Sequence, residues 1–137
     1  MSFLSDEDRR ARAEYKRRAD EEHADRVAAS KQAFEELRPK LAETIEASAR
    51  ETFVRVGEVA WFTPSYRTSV GDETVRMRPL LNETLAEEIP PLVAEVLQVP
   101  ISSVRIDSRV GKSENEALNR DRTYTILFLV WLDPPLR

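Results

Sequence analysis

Apolar positions along the chain change their period several times, and each change marks an element. Over residues 6–26 only Ala11, Tyr15 and Ala19 form a thin apolar line, whereas Val27, Phe34, Leu37, Leu41 and Ile45 recur at helical spacing. Residues 6–38 contain neither glycine nor proline and are rich in Ala, Glu, Arg and Lys, which gives strong intrinsic helix propensity. Ser5 is placed to cap this helix, with Asp6, Glu7 and Asp8 in the first turn, where the helix dipole favours acids. Asp6/Arg10, Asp8/Arg12, Glu14/Arg18 and Glu22/Arg26 are acid-to-base pairs four residues apart, the order that supports a solvated helix. Pro39 cannot donate to the carbonyl four residues back, so the spacing predicts a kink near Leu37 or a second helix starting there and running to about Phe53.

Residues 52–62 fit both periods. Ala49, Phe53, Val56 and Ala60 match a helix, the β-branched residues favour a strand, and Gly57 weakens either. After Pro64, Tyr66, Thr68 and Val70 alternate with Arg67 and Ser69. A Gly71-Asp72 turn follows, then Val75 and Met77 alternate with Arg76 and Arg78, which predicts a β-hairpin. Asn82 is the expected cap of a helix over 83–98 with a broad apolar stripe (Leu85, Ile89, Leu92, Val93, Val96, Leu97), bent or split at Pro90 and Pro91. Val104, Ile106, Ser108 and Val110 alternate with Arg105, Asp107 and Arg109 as in a half-buried strand. Beyond a polar loop over 111–121, residues 123–132 are apolar on both alternating faces. Such a strand is expected to be central and covered on both sides, ending at Pro134 and Pro135.

The order of elements predicts an α+β fold. It combines a long N-terminal helical arm, kinked or broken near Pro39, with a four-stranded, mostly antiparallel sheet carrying a packed helix. The natural division is a charged arm over 1–51 and a compact α+β domain over 52–137. A helix on one face leaves the other face to be covered by the arm or by a second copy.

Composition narrows the function classes. At 137 residues, 41% apolar and 34% charged, the chain can bury one core beneath a very polar surface. The longest apolar run, 125–132, is far shorter than the roughly 20 residues of a membrane-spanning helix, and residues 1–4 meet acids at once, so no membrane role or leader is expected and the compartment reads as cytoplasmic. Without cysteine there are no thiolate metal sites, disulfides or thiol nucleophiles.

Candidate chemistry is sparse. His23 has Asp20 and Glu22 nearby, yet a solvated helix places charges together routinely and no second histidine exists, so no metal or general-base role is assigned. Gly111-Lys112-Ser113 lacks the first glycine of a phosphate-binding loop and leads to a strand rather than a helix. No cofactor or catalytic residue is assigned. A small-molecule cleft near Trp61, Tyr66 and the 111–121 loop is the weakest of three functional readings.

The leading reading is a non-enzymatic interaction or assembly module, self-associating or docking to a protein partner. Val27, Phe34, Leu37, Leu41, Ile45 and Trp131 are its partner-binding residues. The alternative is a nucleic-acid-associated protein. If Val75, Met77, Val104 and Ile106 face the helix, Arg67, Arg76, Arg78, Arg105 and Arg109 share the opposite sheet face and could hold phosphates. The basic block Arg9, Arg10, Arg12, Lys16, Arg17 and Arg18 offers a second route to that alternative. A net charge of −4 counts against it.

Overall fold

A computed structural model describes residues 3–69, 80–114 and 122–137, and side-chain surroundings over 3–66, 80–108 and 126–137. A single helix, α1, covers Asp6–Val56, 51 residues, or about 77 Å at 1.5 Å per residue. It starts as the sequence predicts. Ser5 accepts a hydrogen bond from the Asp8 amide at 3.1 Å, and the Asp8 carboxylate accepts from the Ser5 amide at 2.9 Å, a reciprocal capping box. Its end is Gly57, left-handed at φ 87°, whose N–H donates to the Phe53 carbonyl at 2.7 Å. A side chain at that φ would be strained, so the glycine that blurred the sequence pattern is the C-cap.

Of the alternatives at Pro39, the break is not found: α1 runs through it. Pro39 and Glu35, whose carbonyl loses its partner, both lie on the exposed side, where water can take that carbonyl. Leu37 and Leu41, on either side of the proline, are buried in one seam with Phe34 and Ile45.

The second helix, α2, covers Asn82–Leu97 and is likewise unbroken at Pro90 and Pro91. Its cap departs from expectation. The N-cap is Leu81 rather than Asn82, and it has no side-chain cap bond of its own. Instead α1 supplies the partner: the Leu81 N–H donates to Ser30 Oγ at 2.8 Å, and that hydroxyl donates to Thr84 Oγ1 at 2.7 Å. Ser30 and Thr84 are buried, so this small polar cluster fixes where α2 begins along α1. Farther along, Arg38 donates to Glu95 at 2.8 Å and to Glu35 at 3.3 Å. The Glu95 carboxylate is the main reason that the Arg38 guanidinium is held above its ordinary pKa. The two helices therefore run side by side in the same direction.

Four antiparallel strands form the sheet: β1 (Val59–Phe62), β2 (Ser65–Ser69), β3 (Val104–Glu114) and β4 (Arg122–Leu136). A short 3₁₀ turn, Ile101–Ser103, leads from α2 into β3. β4 is central. β3 pairs with it from Val104↔Leu132 to Glu114↔Arg122 along one edge, and β1 and β2 lie end to end along the other. The gap between β1 and β2 is bridged where the Phe128 N–H donates to the Pro64 carbonyl at 3.1 Å. β4 does not stop at Pro134 and Pro135 but continues to Leu136, paired with Val59 across a register shift. Such a bulge accommodates residues that cannot donate to the ladder. The expected partner strand of β2, around 75–78, lies outside the described residues. Among the described residues the fourth strand is β1, drawn from the segment that fitted both periods.

Both helices pack on one face of the sheet. Phe34, Leu37, Leu41, Ile45 and Ala49 of α1, Leu85, Ile89, Leu92 and Val93 of α2, and Val59, Phe62, Val104, Ile126, Phe128, Val130 and Leu132 of the sheet form one core. Ile45→Ala is expected to destabilise the fold by about 2–5 kcal/mol, the usual cost of truncating a fully buried Ile, read from the denaturant midpoint. Ser30→Ala strands the Leu81 N–H and the Thr84 hydroxyl in the core, and a loss of about 1–3 kcal/mol is expected in the same assay.

Candidate interaction surface

Directly paired residues of an antiparallel sheet share a face, and residues two apart on a strand do so too. With Ile126, Phe128, Val130 and Leu132 turned toward the helices, Leu127, Leu129 and Trp131 belong to the opposite, outer face. Trp61 pairs with Trp131 and Arg105 pairs with Trp131 from the other side, so one row across three strands reads Trp61, Trp131, Arg105. The next row carries Leu129 and Asp107, and the next Ser65 and Leu127. Trp61 is 57% exposed, Leu127 48% and Trp131 42%, so no part of the described chain covers this face. β4, expected to be covered on both faces, is covered on one by the described residues.

The face is not flat. Thr63 and Pro64 interrupt the edge between β1 and β2, and Thr63, Pro64, Ser65, Asp107, Leu127 and Leu129 line a shallow hollow of about 430 Å³. It lies one step along β4 from the paired tryptophans.

The predicted site residues divide between three places. Phe34, Leu37, Leu41 and Ile45 are buried in the chain's own core, and Val27 is half-buried at its edge. Trp131 stands on the outer face. Arg105 is exposed there and makes no ion pair among the described residues. Arg109, opposite Leu127, and Arg67, opposite Thr125, occupy register positions of the same face. Arg76 and Arg78 lie outside the described residues. Of the expected small-molecule cleft, residues 115–121 lie outside the described residues, and Trp61 and Tyr66 do not share a face of the sheet. Tyr66 pairs with Ile126 and packs against the core, on the face opposite Trp61.

Trp61 as the neighbour of Trp131 is the residue that the pattern missed. The shift between Val59 and Trp61 buries both Val59 and Phe62, three residues apart, which breaks the period-two signal. The one available cue was a large aromatic beside a proline-punctuated turn.

The other exposed feature is the free part of α1, since every residue over 6–26 is exposed. Of the four pairs the sequence suggests there, Glu14/Arg18 forms, at 3.2 Å, while Arg17 reaches Glu14 and Glu21, each at 2.6 Å. His23 Nε2 lies 3.6 Å from Glu83 Oε1, which ties the foot of this segment to the first turn of α2. Among the described residues no group of three or more His, Cys, Asp or Glu could hold a metal ion, and no helix is long and apolar enough to cross a membrane. Comparison with protein-family models, with curated proteins and with solved structures finds no match.

Two carboxyls of the free segment sit below their ordinary pKa. Asp8 is lowered by the hydrogen bond from the Ser5 backbone, then by the Ser5 side chain, and Glu14 is lowered chiefly by Arg17. For a carboxyl whose folded pKa is depressed, the stabilisation is present above the unfolded pKa and is lost as pH falls through the folded one. Acidification through the carboxylate range is therefore expected to fray the first turns of α1 while residues 33–52 stay helical. Residue-resolved ¹³Cα shifts against pH read this directly, and uniform loss along α1 would contradict it.

Proposed function

We propose that the protein is a non-enzymatic assembly module that self-associates through the outer face of its sheet. The observation that carries this reading is the paired Trp61 and Trp131 on a face that neither helix reaches. Two large aromatics beside a leucine-lined hollow form an apolar patch of the kind that marks contact sites. A second copy is the occupant that the shape favours. A two-fold interface is self-complementary, and knob and hollow lie side by side here, so the tryptophans of each copy seat against the hollow of the other. The expected outcome in high salt is a light-scattering mass twice the 15.7 kDa chain. Trp131→Lys is expected to reduce it to a single chain without unfolding the protein. A native chain that stays monomeric across micromolar concentrations would contradict the proposal.

A second reading rests on the register that puts Arg67, Arg105 and Arg109 on the face with both tryptophans. Arginines interleaved with aromatics can hold a single-stranded nucleic acid by phosphate contact and base stacking. Its expected signature is quenching of tryptophan fluorescence by an oligonucleotide, weakening steeply with salt. No quenching at low salt would end this reading.

A further inference from the structure

The two edges of the sheet differ. Along one, Thr63 and Pro64 separate β1 from β2, and β1 meets β4 across a register shift. Interruptions of this kind keep a sheet edge from pairing with another chain. β3, the other edge, has neither. Its register with β4 runs from Val104 to Glu114 without a shift or a proline, and among the described residues no strand pairs with its far side. Such an edge presents a row of N–H and C=O groups as a template for a further strand.

One side chain marks the position. The inner face of β3 carries Val104, Ile106 and Ser108, with Ile106 only half-buried. Ser108 Oγ is shut off from water and has no hydrogen-bond partner among the described residues, a costly state for a hydroxyl. Above it, α2 packs over β3. Thr84 and Glu95 lie on the side of α2 that faces α1, so helical geometry turns Ala86 and Pro90 away from α1. Both are uncharged and small, which leaves room for a second α2 to approach.

We propose that β3 pairs antiparallel with β3 of a second copy about a two-fold axis at Ser108, joining two four-stranded sheets into one. Ser108 then opposes Ser108 of the other copy, and two hydroxyls, each able to donate and to accept, satisfy one another. On either side of the axis the register sets Ile106 against Val110 and Asp107 against Arg109. An axis at Asp107 would oppose Asp107 to itself and Arg105 to Arg109, like charge against like. One at Ile106 would set Ser108 against Val104, which offers no hydrogen bond. A second copy is thus the occupant that brings a hydroxyl to Ser108 and opposite charges to its neighbours in one register. This contact is independent of the proposed function, since it uses the edge of the sheet rather than its outer face. It buries less apolar surface than two tryptophans and a hollow, so it is the weaker contact and forms above the micromolar range.

The chain has no cysteine, so a single introduced thiol reports the register. The test uses the full chain carrying Trp131→Lys, at millimolar concentration in a glutathione redox buffer. Adding Ser108→Cys is expected to give a disulfide-linked species of twice the 15.7 kDa chain, because directly opposed Cβ atoms lie about 4.5–5.5 Å apart. Arg105→Cys is more exposed, yet the register carries it about 20 Å along the strands from its counterpart, and it is expected to stay single. The Trp131→Lys parent gives a second reading without a thiol: raising its concentration from micromolar to millimolar is expected to slow hydrogen exchange at β3 amides that do not face β4. A folded Ser108→Cys chain that stays single, equal linking of Arg105→Cys, or β3 exchange indifferent to concentration would each overturn the pairing. The outer-face reading is judged separately, by the micromolar mass of the chain with native Trp131.

Discussion

The burial of Phe34, Leu37, Leu41 and Ile45 between α2 and the inner face of the sheet determines where everything else in the chain can be. Each of these side chains is essentially removed from water, worth about 1.5–3 kcal/mol apiece before the entropy of ordering is counted. That seam holds α1 alongside α2, and Ser30 and Arg38 fix the alignment of the two helices with one buried and one surface polar contact. Among the described residues both helices are spent on one side, and none is left for the other. The open face of Trp61, Leu127 and Trp131 and the free N-terminal half of α1 are both consequences of that one packing choice.

Much of this was legible in the order of residues. The division of α1 near Val27 showed in the change from a thin alanine line to a stripe of Phe, Leu and Ile, and the structure turns from exposed to buried at Ser30. The doubly apolar run over 123–132 identified the central strand. The prolines were legible only as alternatives. Pro39 read as a kink or a break and Pro90 and Pro91 as a bend or a split, and both helices continue through them, which leaves out the break and the split. The carbonyls they orphan belong to exposed residues such as Glu35 and Glu87, while the buried stripe on the opposite side is uninterrupted. A helix tolerates proline where water can take its place and packing holds the rest.

The interaction surface was only half legible. Trp131 could be placed on a face of its own strand, but an apolar strand face says nothing about what covers it. Alternation alone predicted cover on both sides, and the described residues supply it on one. Trp61 was hidden by a bulge that buries Val59 and Phe62 together. The stripe Phe34, Leu37, Leu41 and Ile45 was equally consistent with docking in cis and in trans, and only the position of α2 and the sheet decides that it is satisfied within the chain. Local pattern reports that a residue must be buried. The identity of its partner is a tertiary fact.

Native-state hydrogen exchange along α1, in dilute protein at high salt, tests most directly whether that seam governs the fold. Amides over 33–52 are expected to exchange only through global unfolding, while those over 6–26, outside the core, open at far lower free energy. Protection that is uniform from 6 to 52, or exchange of 33–52 well below the global unfolding free energy, would contradict it.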